Sequence, residues 1–158
     1  MDNREALIKS CGILLQAANT LRIPVLWCEQ APLALGSTVA ELRKHLETNH
    51  PIEKTSFNCC GAEGFPEELE KTAASTVILC GIEAHVCVFQ TAADLIERGL
   101  NVHVIADGVS SRTAENKQIG LARAAGAGAV ISSTEMLLFE WLKDARHEKF
   151  KDLARLIK

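Results

Sequence analysis

No apolar run in this 158-residue chain approaches the roughly 20 residues that a membrane-spanning helix needs. The opening residues Met1-Asp2-Asn3-Arg4-Glu5 lack the basic start and apolar stretch of a secretory signal. A soluble cytoplasmic protein with no membrane partner is therefore the expectation. Excess charge of one sign is lacking too. The formal net charge is −3, the pI is about 6.0, and no Lys/Arg cluster interleaved with aromatics compensates locally, so nucleic acid is not an expected partner. None of the six cysteines makes a Cys-x-x-Cys pair, and the adjacent Cys59-Cys60 cannot easily chelate one tetrahedral ion together, which argues against a structural zinc site. Cys11 lies in a helical pattern, while Cys28 and Cys80 each end an apolar run. Those are places for small buried thiols in a reduced protein. Fixed-period repeats and low-complexity stretches are also missing. The 47% hydrophobic and 23% charged composition then describes one globular domain spanning residues 1–158.

What is present alternates. Leu7, Cys11, Leu14, Ala18 and Leu21 recur at helical spacing over residues 4–21. Residues 23–28 form a continuous apolar run with Pro24 near its start, the pattern of a buried strand. Residues 29–39 read as a loop, with Thr38 placed to cap a short helix to about residue 44. A weak strand at 52–55, an irregular segment at 58–64 and a short helix at 66–71 follow. The second half is more regular: strand 76–80, helix 85–98 stopped by Gly99, strand 101–106, helix 114–125 closed by Gly126, and strand 129–131. Two helical stretches at 134–143 and 147–157 end the chain. Strands alternating with helices imply an α/β fold of three α/β/α layers around a mostly parallel sheet with right-handed crossovers.

In an open parallel sheet the functional crevice lies beyond the carboxyl ends of the strands. That rule selects Glu29 and Gln30, then Lys54 and the loop 57–64, then the turn 81–87, then 107–112. Cys87 is expected in the first turn of its helix, where unpaired N–H groups and the helix dipole favour a thiolate, and where the same N–H groups can hold an oxyanion. Taken alone, a cysteine so placed is more often a small buried hydrophobe. An ammonium from Lys54 within reach would stabilise developing negative charge, the plainer reading being a solvated surface lysine. His85 is two residues from Cys87 on a helix and so points to another face, which makes it a cap or supporting group. Asp107-Gly108 reads first as a turn, Ser110-Ser111 as a helix cap, and Arg112 as a solvated side chain able to bind a carboxylate.

At these residues the chain resembles the isochorismatase-like cysteine hydrolase family, from the first helix to Ile157. Lys54-Thr55-Ser56-Phe57 resembles the family's lysine motif. Gly81-Ile82-Glu83-Ala84-His85-Val86-Cys87-Val88 resembles its nucleophile motif, and Asp107-Gly108-Val109-Ser110-Ser111-Arg112 the loop after the next strand. The resemblance implies a Rossmann-like fold, Cys87 as nucleophile, Lys54 as its catalytic partner, and a cis peptide between Ile82 and Glu83. It also implies an oxyanion hole from the backbone N–H groups of Glu83 and Cys87. Glu29-Gln30 with Gly36 and Thr38 resembles the branch of isochorismatase domain-containing proteins. Glu29, Gln30, Phe57 and Arg112 are the candidates for the substrate pocket. The Asp/His metal cluster of nicotinamidases has no counterpart in residues 27–42, so neither metal nor other cofactor is expected.

Family members begin with a strand ending in an aspartate that acts as general base. This chain opens on the helix that follows it, and Asp2 is not at the end of an apolar run. The sheet is thus expected to lack its first strand, beside the one that delivers Cys87, and the chain to be N-terminally incomplete. The implied activity is hydrolysis of a small amide, ester or vinyl ether substrate in full-length form. The alternative is a non-catalytic or redox-responsive interaction protein, motivated by the absent aspartate and by Cys59-Cys60. A homo-oligomer is expected as well, with Leu137, Leu138, Trp141 and Phe150 offering apolar surface for it. The competing reading is that those residues simply cover the sheet.

Overall fold

A computed structural model describes residues 1, 3–46 and 50–158; the expectation for Asp2 thus lies outside the described residues. In chain order the elements are α1 (Arg4–Leu21), β1 (Cys28–Gln30), α2 (Pro32–Leu35), α3 (Ala40–Arg43), β2 (Ile52–Lys54), a 3₁₀ turn (Cys59–Gly61), α4 (Phe65–Lys71) and β3 (Thr76–Ile82). A π-helical turn (Ala84–Val88) then leads into α5 (Phe89–Glu97), β4 (Asn101–Ser110), α6 (Ala114–Gly126), β5 (Val130–Ser132), α7 (Thr134–Leu142) and α8 (Phe150–Ala154).

All the strand pairs are parallel, as alternating strands and helices predict. Among the described residues they form two sheets, β1-β2 and β3-β4-β5, so β3 hydrogen-bonds to β4 on one side only. Side chains alternate along the strands as the pleat requires. Val77 and Leu79 of β3 and Val102 and Val104 of β4 join one core with Phe65, Ala92, Leu95 and Ala124, from α4, α5 and α6. Ile78 and Ile105 face the other core, with Ile13, Leu14 and Ala17 of α1, Leu137, Leu138 and Leu142 of α7, and Leu153 of α8. Three layers result. Leu26, Cys28 and Ile52 pack against the first core and so anchor the short β1-β2 pair to it.

Several sequence expectations need correction. The run 23–27 forms no regular strand among the described residues; the ladder to β2 is registered from Cys28, next to a bond from Ile52 N to Trp27 O at 2.7 Å. Pro24 has no N–H to offer a ladder, and β2 is itself three residues long. Thr38 caps no helix. Its N–H donates to Glu29 Oε1 at 2.6 Å and its hydroxyl accepts from Trp27 Nε1 at 2.8 Å. Asp107 and Gly108 belong to β4, in a break of register: between Leu79↔Val104 and Gly81↔Val109 the ladder skips residues on β4. Their turn chemistry thus appears as a bulge. Ser110 and Ser111 are buried, and the cap of α6 is Thr113, whose Oγ1 accepts from Asn116 N at 3.2 Å. The last helix shrinks from 147–157 to Phe150–Ala154. Leu137 and Leu138 are core residues, and Trp141 and Phe150 pack against that core, so these four do not form a free apolar surface.

Candidate active site

Gly81, the penultimate residue of β3, has a φ of 117°, in the region open to glycine. A Cβ there would meet nothing within 4 Å, so backbone conformation, not crowding, calls for glycine. The Ile82–Glu83 peptide that follows is cis. Glu83 then starts the π-helical turn, its carbonyl accepting the N–H groups of Val86 and Val88, each at 3.1 Å. The turn lies directly against α6. A Cβ on Gly120 would come within 2.7 Å of backbone atoms of Ala84 and His85, so only glycine permits this approach. Arg123, one turn further along α6, places its guanidinium 4.0 Å above the ring of Phe89. Packing of backbone on backbone therefore fixes where Cys87 stands.

Lys54 reaches the same place from the end of β2. It is 7% exposed, far from the solvated side chain a lone surface lysine would be. Its Nζ donates to Gln30 Oε1 at 2.5 Å and to the carbonyls of Ser56 and Phe57 at 3.0 Å each, and it lies 3.8 Å from Cys87 Sγ. Gln30 is the ladder partner of Lys54, and its Nε2 donates to Thr55 O at 2.8 Å. The two ends of the β1-β2 pair therefore hold each other in place. Phe57 takes part through its carbonyl, while the residue as a whole is 55% exposed.

The remaining candidates are not at the sulfur. Glu29 alternates to the opposite face of β1 from Gln30, and its carboxylate holds the loop at Thr38. Arg112 Nε donates to Glu83 Oε1 at 2.9 Å, with 79% of its side chain exposed. Glu83 Oε2 finds no hydrogen-bond partner among the described residues and lies 3.7 Å from His85 Nδ1, which sits 3.0 Å from Ser111 Oγ. Glu83, His85, Ser111 and Arg112 thus form a polar cluster beside the turn that carries Cys87. Among the described residues no three His, Cys, Asp or Glu side chains gather closely enough to hold a metal ion.

Sequence reasoning singles out Cys59 beside Cys60 but misses its neighbour Cys28. Cys59 stands in the 3₁₀ turn after Lys54, its N–H donating to Thr91 Oγ1 at 2.9 Å. A hydrogen bond from the Cys28 thiol, another from Thr91 and the charge of Lys54 together outweigh burial and hold its own thiol down to about 6. Cys28 is pushed up, first by that same hydrogen bond and then by burial. The neighbouring Cys60 is raised to about 11, by burial and then by Asp94. Cys28 and Cys59 are far apart in sequence and no short motif links them, so only the fold could disclose the contact.

Comparison with known proteins places this geometry. Residues 1–136 match the Isochorismatase domain. The chain is 40% identical over 153 residues to isochorismatase domain-containing protein 2 of Homo sapiens, covering 96% of this chain and 73% of that protein. The Danio rerio protein of the same name is also 40% identical, over 152 residues and 76% of its length. Among solved structures, the MAR1 ribonuclease from Caenorhabditis elegans superposes with a TM-score of 0.90 at 41% identity, over 97% of this chain and 79% of that one. The YcaC gene product from Escherichia coli, an octameric hydrolase of unknown specificity, has a TM-score of 0.91 at 22% identity, over 97% and 76% of the two chains, a likeness of fold alone. Domain match, relatives and the three-layer parallel fold agree: the chain belongs to the isochorismatase family.

Proposed function

We propose that this chain supplies the nucleophile of a hydrolase acting on a small amide, ester or vinyl ether substrate. Cys87 Sγ attacks the electrophilic carbon, and the backbone N–H groups of Glu83 and Cys87 take up the negative charge that develops on the substrate oxygen. Lys54 stabilises that charge and the sulfur from the side. The observation that carries the reading is the 3.8 Å approach of a buried ammonium to Cys87 Sγ. The other hydrogen-bond partners of Lys54 among the described residues are neutral, so its charge is not cancelled locally. Gln30 and Phe57 shape the pocket through the groups that hold Lys54, and Arg112 stands at its rim with Glu83.

The test is turnover of activated esters followed by intact and peptide mass. Wild-type protein is expected to accumulate an acyl adduct on the Cys87 peptide, and Cys87→Ser to lose turnover with its fold intact. Unchanged turnover in that variant overturns the proposal. The name of the Caenorhabditis elegans relative supplies a second reading, cleavage of RNA. A net charge of −3 weighs against it, and degradation of a labelled RNA by wild type but not by Cys87→Ser would favour it over the first.

A soluble, cytoplasmic homo-oligomer remains part of the proposal. No helix among the described residues is long and apolar enough to cross a membrane. Met136 and Phe139, exposed on α7, replace the four residues first considered as the oligomer surface. Light scattering of wild type against a Met136→Glu/Phe139→Glu variant reads this directly, with a lower mass for the variant expected.

A further inference from the structure

Three consecutive residues at the end of β4 grip the turn that carries Cys87. Ser110 lies opposite Ile82 in the ladder, Ser111 Oγ is 3.0 Å from His85 Nδ1, and Arg112 Nε donates to Glu83 Oε1 at 2.9 Å. Ser111 is fully buried, so the hold on His85 comes from inside the fold. The Glu83 side chain is 17% exposed, whereas 79% of the Arg112 side chain is open to solvent. The arginine thus reaches in from the surface to a carboxylate that is mostly withdrawn from water. The mechanism above uses the backbone N–H of Glu83 and gives its side chain no task.

A carboxylate works against a site built to receive negative charge. Its repulsion of a developing oxyanion is poorly screened where water is largely excluded. It also disfavours a thiolate at Cys87, in the turn that Glu83 starts. A cation bonded to the carboxylate cancels both effects. The basic side chains that approach Glu83 among the described residues are Arg112, at 2.9 Å, and His85, at 3.7 Å. Of the two, only arginine is charged whatever the pH. Lys54 turns instead to Gln30, to two carbonyls and to Cys87. We propose that Arg112 is a positioning residue that acts through Glu83. It holds the carboxylate to the end of β4 and neutralises it, so that the N–H groups of Glu83 and Cys87 meet the substrate oxygen with no opposing charge beside them. The consequence for turnover rests on the proposed hydrolase reading.

A plainer task for a solvated arginine is to bind a carboxylate of the substrate itself. The two roles separate in kinetics. Direct binding of the substrate shows in KM, whereas relief of repulsion on an oxyanion is felt only as that charge develops, and shows in kcat. An ion pair with one mostly solvated partner adds little to stability, so loss of the arginine should leave the fold in place.

The experiment compares wild type, Arg112→Ala, Arg112→Lys, Glu83→Gln and the Glu83→Gln/Arg112→Ala double variant. It reads kcat and KM for a neutral activated ester, and separately the rate at which iodoacetamide alkylates Cys87 at neutral pH, followed by peptide mass. Arg112→Ala is expected to lower kcat on the order of tenfold, less than the loss of an oxyanion donor itself, with KM changed by no more than about twofold. Alkylation of Cys87 should slow with it. Arg112→Lys keeps the charge and should restore most of both. In the Glu83→Gln background there is no charge to cancel, so removal of Arg112 should cost less than about twofold. Arg146→Ala, which breaks an exposed ion pair after α7, controls for loss of surface charge and should match wild type. Arg112→Ala that leaves both readouts unchanged overturns the proposal, as does an equal loss in both backgrounds or a loss confined to KM. Alkylation needs no turnover. Should wild type hydrolyse no ester, the alkylation rates of the same variants still decide the role of Arg112, so its failure is distinct from failure of the proposed hydrolase.

Discussion

The turn that carries Cys87 and the loop that follows Lys54 meet at 3.8 Å, yet they are held by opposite means. The turn is fixed by shape, with the α6 backbone at Gly120 leaving no room for a methyl group against Ala84 and His85. The loop is fixed by polar bonds, with Lys54 Nζ gathering Gln30 and two carbonyls, and Thr91 Oγ1 receiving the N–H of Cys59. Steric placement fails through added volume. Polar placement fails through a lost partner.

The largest effect should come from breaking the polar side at its centre. Lys54→Ala is expected to lower activated-ester turnover by roughly 10²–10³-fold, the usual cost of removing one charge-stabilising group. Far-UV circular dichroism should stay unchanged, and a variant that keeps full turnover would remove lysine from the chemistry. On the steric side, Gly120→Ala should cost about 1–3 kcal/mol in urea unfolding, because the α6 backbone must withdraw from the turn. Gly126→Ala on the same helix meets nothing within 4 Å and should be neutral or slightly stabilising, which separates crowding from a general dislike of alanine.

Thr91→Val sharpens the contrast further. It keeps the volume and orphans the N–H of Cys59, for about 1–3 kcal/mol of destabilisation. It also removes one of the bonds that lower the Cys59 thiol. In wild type, alkylation of Cys59 should rise as pH climbs through about 6, since below that value the sulfur is protonated and unreactive and above it a thiolate. Thr91→Val should move that midpoint upward. If stopped-flow alkylation finds the midpoint unmoved, the Thr91 hydroxyl has no part in it. Smallest of all, Arg112→Ala breaks an ion pair whose arginine is mostly solvated, and should change stability by less than about 1 kcal/mol.

The same division explains what the sequence disclosed. The β3–α5–β4 unit was readable because continuous apolar runs, a helical period and Gly99 all speak of local structure, and the positive φ of Gly99 and of Gly81 suits those positions. Position along the chain sufficed to bring Cys87 to a strand's end. The front half was harder: residues 23–27 look like a strand by composition, yet the regular pairing begins only at Cys28, opposite β2 at Ile52–Lys54. Thr38, Glu29 and Trp27 make a polar triangle that replaces the expected helix cap. The Cys28–Cys59 contact is purely tertiary, and nothing in either local sequence foretells it.

The register break in β4 divides one strand into two ladders. The first runs Asn101 to Val104 along β3, with Val102 and Val104 in the core, and the second consists of Val109 and Ser110 opposite Gly81 and Ile82. Between them Asp107 leaves the ladder to accept the N–H of Thr134 at 2.8 Å, mooring α7. A strand in one register unzips as a unit. With its two ladders separately registered, β4 can release the distal one, which is paired on one side only, while the proximal one, flanked by β5 as well, stays shut. Amide hydrogen exchange should therefore resolve β4 into a slow block and a faster one, and the boundary should fall at the bulge.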